Sequence, residues 1–173
     1  MSLADKIRTV PNWPIEGVMF RDITTILSDP GAFREAMDLF HQRYRDMPVD
    51  KVVGIDARGF IFGSVLAHMM SVGFIPVRKK GKLPHRTIQA DYSLEYGKDT
   101  VEMHEDAISP GEKVVVVDDL IATGGTVAAA VKLVEQLGGK VLECAFVVEL
   151  PDLKGRERIA GTNVFSLCSF EGD

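Results

Sequence analysis

Apolar residues along this chain recur in blocks that switch between a period near 3.6 and extended runs. After Pro30, the residues Phe33, Ala36, Met37, Phe40 and Tyr44 recur at helical spacing, and the stretch ends near Met47-Pro48, which predicts a helix lying on the core. Val52, Val53 and Ile55 read as a strand, Phe60 to Met70 as an apolar helix and Phe74 to Val77 as a second strand, together one βαβ unit. Lys113 to Val117 carries four consecutive valines, a pattern that suits a central parallel strand buried on both faces. The helix that follows has Val127, Ala130, Val131, Val134 and Leu137 on one stripe, with Gly138-Gly139 as its stop. Val141 to Leu150 is the next strand. After a polar segment from Lys154 to Arg158, Val164 to Phe170 reads as a last edge strand. Strands alternating with helices predict an α/β fold, an open and mostly parallel sheet with helices on both faces. Between Lys79 and Asp99 the pattern breaks into basic, Gly- and Pro-containing sequence with β-like pieces near Ile88 and Val101, which reads as a long loop or hairpin.

No repeat, low-complexity tract or linker divides the 173 residues, so one domain over residues 1–173 is expected. At 46% hydrophobic and 26% charged, the chain can bury a real core. Twenty Lys and Arg against 25 Asp and Glu leave a net charge of −5, which argues against general binding to nucleic acid or anionic membrane while leaving room for a local basic patch. The longest aliphatic run, Val114 to Val117, is far shorter than the ~20 residues that span a bilayer. The first residues lack both the basic and the apolar stretch of a secretory signal, so a cytoplasmic location is expected. The two cysteines, Cys144 and Cys168, form no CxxC and are expected to be buried thiols.

Ligands of such folds bind beyond the carboxyl ends of the strands, which directs attention to the run from Asp118 to Thr126 after the valine strand. A Gly- and Thr-rich turn at a helix start presents backbone N–H groups and hydroxyls, which is how phosphate sites are built. Two carboxylates beside an anion site need a reason, and vicinal ribose hydroxyls supply one, since each acid can accept an O–H at ~1.5–3 kcal/mol per charged hydrogen bond. The segment therefore reads as a site for a pentose with a phosphate at one end; the plainer alternative is that Asp118 and Asp119 cap a tight turn. Other phosphate and metal motifs fail. Gly54 to Gly59 has P-loop glycine spacing but continues Phe60-Ile61 rather than Lys-Ser/Thr, no GxGxxG follows a strand, and His104-Glu105 meets Ile108 where HExxH needs a histidine. The four histidines are scattered and read as structural.

The string Val114 to Thr126 resembles the phosphoribosyl pyrophosphate (PRPP) signature of the type I phosphoribosyltransferases. Phe20-Arg21-Asp22-Ile23-Thr24, Gly54 to Phe60, and Arg78 to Pro84 followed by Tyr92 to Gly97 are similar to the adenine-directed members of that family, in the same order along the chain. Asp56 stands where many members carry Glu, a charge-conserving change, and Glu16-Gly17 stands where Pro-Gly is frequent.

The resemblance implies Mg²⁺-dependent transfer of the 5-phosphoribosyl group from PRPP to N9 of adenine, giving AMP and pyrophosphate, by a homodimer. It assigns the 5′-phosphate to Ala122, Thr123, Gly124, Gly125 and Thr126, and the ribose hydroxyls to Asp118 and Asp119. Pyrophosphate would meet Arg58, Lys79 and Lys82, the last two from a stretch, Arg78 to Arg86, with five cations and no acid. Glu95 would move the purine proton, with Arg58 and Tyr96 beside it in the catalytic set. Met19, Phe20, the Arg21 main chain and Leu120 would hold adenine, in a hood over about residues 1–30. Residues about 79–105 would form a lid that keeps water from the reacting sugar. Mg²⁺ would ride mainly on PRPP and water, with no direct protein ligand assigned. The rivals are transfer to hypoxanthine, xanthine or orotate, and a non-catalytic PRPP- or nucleotide-binding regulator.

Overall fold

The computed structural model describes residues 2–94 and 97–172. A short 3-10 turn at Ala4–Lys6 leads into a two-stranded antiparallel ribbon, β1 (Arg8–Pro11) and β2 (Met19–Asp22). Then come α1 (Thr24–Ser28), α2 (Pro30–Tyr44), β3 (Lys51–Ile55), α3 (Arg58–Met70) and β4 (Gly73–Lys79). An antiparallel hairpin, β5 (Thr87–Ser93) and β6 (Lys98–His104), precedes β7 (Lys113–Ile121), α4 (Gly125–Gln136), β8 (Lys140–Glu149) and β9 (Asn163–Ser169). The large sheet has the order β5-β6-β4-β3-β7-β8-β9, with β4, β3, β7, β8 and β9 parallel and the hairpin joined antiparallel to β4.

Helices lie on both faces, as the pattern predicts, and the valine strand shows why. Val115 and Val117 enter one core with Phe40, Tyr44, Phe62 and Leu66 of α2 and α3, while Val114 and Val116 enter the other with Val127, Ala130, Leu133 and Val134 of α4. All four valines are fully buried, so period-2 alternation vanishes in a strand covered on both sides. Local chemistry sets the helix ends. The Asp29 carboxylate accepts from the N–H groups of Gly31 (2.8 Å) and Ala32 (3.2 Å), Pro30 fills the first helical position, and Gly138 adopts a left-handed φ of 82° just past α4. Among the described residues no helix is long and apolar enough to cross a membrane.

Three boundaries move from the sequence reading. α3 opens at Arg58 rather than Phe60, because Arg58 and Gly59 already seat against the end of β7. β7 continues through the two acids to Ile121. Residues 87–104 are a paired hairpin that extends the sheet, so the alternative of an unpaired loop does not hold for them.

A charged side chain reaches into the core. Glu143, on β8 and 2% exposed, takes a two-pronged contact from Arg43 of α2, Nε at 3.0 Å and Nη2 at 2.8 Å, while that guanidinium lies 5.0 Å over the Phe165 ring. Arg43→Ala would strand a buried carboxylate. With Arg43 itself partly in water, the expected loss is about 2 kcal/mol, below the ~3–5 of a wholly buried pair, and denaturant unfolding of the variant against the parent measures it.

Candidate active site

β3 lies between β4 and β7, so the chain leaves β3 on one side and returns on the other, and the crevice at the carboxyl ends of these strands is the switch point where α/β sheets bind ligands. The last β3–β7 partners are Gly54 and Val117, and beyond them residues Asp118 to Ile121 pair only with β8. One edge of β7 is thereby left open where its acids stand. A cavity of about 210 Å³ sits there, lined by Arg58 and the continuous run Asp118 to Val127.

Within it the acids are unequal. Asp119 is 5% exposed and its Oδ2 accepts from Arg58 Nε at 2.5 Å, whereas Asp118 Oδ1 accepts the Asp119 backbone N–H at 2.8 Å. Burial, then the neighbouring charge of Asp119, pushes the Asp118 carboxyl well above the usual carboxylate range. Burial opposes the Arg58 charge, but the charge and hydrogen bond of Asp119, with help from Asp118 and Asp22, outweigh it and raise the guanidinium pKa. Arg58 reaches the acids because Gly59 has no side chain: a Cβ there would stand 2.7 Å from the Val117 carbonyl oxygen and 3.0 Å from Asp118 Oδ1.

The turn from Ala122 to Gly125 is held from behind. Gly124 has φ 83°, and a Cβ on it would meet the Gly155 carbonyl oxygen at 2.4 Å; a Cβ on Gly155 would meet the Ala122 carbonyl oxygen at the same distance. Two backbones touch, and only glycine fits on either side. Gly155 belongs to a 3-10 turn, Gly155–Ile159, anchored by Arg156, which forks onto Glu149 at 2.5 and 2.6 Å; Ser166 Oγ also donates to Glu149 at 2.8 Å. The Arg156 hydrogen bonds hold the Glu149 carboxyl below its usual range. From the same turn Arg158 brings its guanidinium to the side of Gly125 and lines a further cavity with Thr123 and Thr126. Sequence reasoning missed this buttress and Arg158, having only a polar segment with one glycine as its signal.

Lys79, Lys82, Met19, Phe20 and Arg21 do not line that cavity. Lys79, at the end of β4, points its Nζ at Asp99 Oδ2 (2.6 Å), an oxygen that also accepts from the Tyr92 hydroxyl (3.0 Å). The Asp99 hydrogen bond raises the Lys79 pKa, and Asp99 is lowered in turn, chiefly by Lys79. Lys82 is exposed in the turn after β4, its N–H bonded to the Lys79 carbonyl at 3.3 Å. Met19, Phe20 and Arg21 are on β2, where Phe20 meets Trp13 edge-on at 4.4 Å in a separate cleft of about 260 Å³ with Val10, Asp22 and Thr24. The Arg21 side chain turns away, donating to Thr9 Oγ1 at 2.8 Å and covering Phe170 at 4.4 Å, which leaves its main chain on the ribbon edge. Leu120 does line the acid cavity. Asp22, fixed by Arg8 Nε at 3.0 Å and by the Thr24 N–H and hydroxyl, joins ribbon to crevice through its charge on Arg58. The expected Glu95 and Tyr96 lie outside the described residues.

The likeness to known proteins runs over nearly the whole chain. It is 68% identical over 173 residues to the adenine phosphoribosyltransferase of Desulfosudis oleivorans, covering 100% of both chains. Its structure superposes with a TM-score of 0.94 on the adenine phosphoribosyltransferase of Thermoanaerobacter pseudethanolicus, at 45% identity and covering 97% of this chain and 98% of that one. It also matches the Saccharomyces cerevisiae adenine phosphoribosyltransferase complexed with D-2,5-dideoxy-2,5-imino-altritol 1,6-bisphosphate and adenine, at a TM-score of 0.91, 44% identity, and 95% and 96% coverage. The family model for the phosphoribosyl transferase domain matches residues 22–171, from the end of β2 to beyond β9, and this chain belongs to that family.

Proposed function

We propose that this protein transfers the 5-phosphoribosyl group of PRPP to N9 of adenine, forming AMP and releasing pyrophosphate. The observation that carries the reading is one cavity holding an acid pair, Asp119 buried and Asp118 half-buried, with the neutralising Arg58 and a glycine turn at the start of α4. Adenine as the acceptor rests on relatives that are adenine phosphoribosyltransferases and on the yeast neighbour complexed with adenine.

In this reading the N–H groups and hydroxyls of residues 122–126 take the 5′-phosphate at the helix start. Asp118 and Asp119 accept the ribose hydroxyls. Breaking the bond at the anomeric carbon makes the sugar cationic and the leaving pyrophosphate more anionic, and fixed cations oppose that growing charge. Arg58 stands at the crevice for this; Lys79 exchanges Asp99 for pyrophosphate, and Lys82 adds to it. Met19 and Phe20 pack on the adenine faces with Leu120 beneath, the Arg21 main chain reads its edge, Glu95 accepts the N9 proton and Tyr96 closes the pocket. The ribbon serves as a hood within one domain, the hairpin region of residues 79–105 as the lid, and two copies form a homodimer.

Phosphoribosyltransferases use PRPP with Mg²⁺ in general. The residues present fit a metal carried in on its substrate: Asp118 and Asp119 put negative charge beside the crevice, and Mg²⁺ would keep mainly PRPP oxygens and water as its ligands, with no direct protein ligand assigned. Bound there, Mg²⁺ would neutralise charge on the departing pyrophosphate. A cytoplasmic location suits the thiols, since burial pushes Cys144 up to about 12 and Cys168 to about 11 and keeps both protonated.

Three outcomes are expected. With Mg²⁺ and PRPP, nucleotide formation from adenine should exceed that from hypoxanthine, xanthine or orotate by at least ~100-fold in kcat/KM; comparable turnover on hypoxanthine would move the assignment to another base. Asp118 accepts hydroxyls more strongly when ionised, and its raised pKa means that it loses its proton only above the ordinary carboxylate range. The KM for PRPP should therefore fall as pH rises from about 4 to 8, and Asp118→Asn should flatten that step in initial-rate profiles. Gly124→Ala should raise the KM for PRPP at least ~10-fold by driving the turn off Gly155, whereas Gly111→Ala, at a similar φ of 85° with open space around it, should leave KM unchanged.

A further inference from the structure

Beside the phosphate turn, between α4 and the β5–β6 hairpin, is a concavity of about 280 Å³. Its floor is the stripe Gly125, Ala128, Ala129 and Lys132, residues spaced along one helix face, and the small side chains create the hollow. Lys98 from the start of β6 and Arg158 from the Gly155–Ile159 turn stand on its walls. Among the described residues none of these three cations enters an ion pair, although the chain as a whole is acidic. The one acid of the lining, Asp91, has its Oδ1 occupied by the Thr100 hydroxyl at 2.7 Å. Three cations against the single acid Asp91 leave the hollow net positive, and an anion placed among the cations offsets their mutual repulsion.

We propose that this hollow is a second anion site, adjoining the 5′-phosphate turn at Gly125, and that it takes a phosphate group, either free or at the end of a nucleotide. Lys98, Lys132 and Arg158 hold the charge, and the Tyr92–Ser93 strand end closes one side. The site shares Gly125 and Arg158 with the cavity that contains Thr123 and Thr126, so an anion bound there acts on the first turn of α4 and thereby on donor affinity.

Calorimetric titration of the whole protein, saturated with AMP so that the catalytic cavity is filled, tests this with inorganic phosphate in one arm and ADP in the other, each against chloride at equal ionic strength. AMP binding is measured first, and its failure counts against the catalytic reading alone; the comparison of variants then proceeds on the free protein. Binding of one equivalent is expected, weakened at least ~10-fold in Lys98→Ala/Lys132→Ala and unchanged in Lys140→Ala, whose lysine is exposed on β8. Turnover in the absence of added anion should be the same in Lys132→Ala and Lys140→Ala as in the parent. Phosphate bound as tightly as ADP identifies a free-anion site, and ADP bound at least ~10-fold tighter identifies a nucleotide tail. Binding that the double variant leaves intact, or none beyond chloride, overturns the proposal.

Discussion

Arg58 and Asp119 join the start of α3 to the open edge of β7, and this contact makes an acid pair tolerable next to an anion site. Two unit charges about 4 Å apart repel by ~4 kcal/mol at the effective dielectric typical of protein sites, so neighbouring carboxylates at a strand end would resist both each other and an incoming phosphate. Arg58 offsets one of the two negative charges, and the raised Asp118 pKa lowers the other over part of the pH range. Gly59 is as necessary as the charges, because a side chain there would push the helix start off the Val117 carbonyl and remove the guanidinium from reach. Chemistry and packing therefore meet in two consecutive residues.

What could be read from the sequence was what repeats or what is contiguous. The four valines announce a strand covered on both faces, the α4 stripe announces its buried side, and the run from Asp118 to Thr126 keeps the candidate ligand-binding groups within nine residues. The continuation of β7 to Ile121 was hidden, because it depends on where β3 stops pairing. The hairpin was half hidden for another reason: β5 is an edge strand with only Ala90 buried, so its sequence carries little of the apolar alternation that marks a strand. Least legible was the contact between Gly124 and Gly155, made backbone to backbone by segments some thirty residues apart and leaving no side-chain signature beyond the glycines themselves.

The hairpin also explains how a lysine assigned to pyrophosphate can rest away from the crevice. Lys79 is 61% exposed where it meets Asp99, and an ion pair so open to water is weak, because both partners keep much of their hydration and salt screens what remains. In the proposed reaction pyrophosphate would offer the same ammonium several acceptor oxygens and more than one negative charge, so the exchange would favour the ligand. Asp99 keeps its hydrogen bonds from Tyr92 and the Thr100 N–H when Lys79 departs, and the strand pairing of β5 with β6 does not depend on the ammonium at all. Under that proposal the pair would hold the lysine ready without binding it tightly, and the energy of releasing it would fall on a solvated ion pair rather than on the sheet.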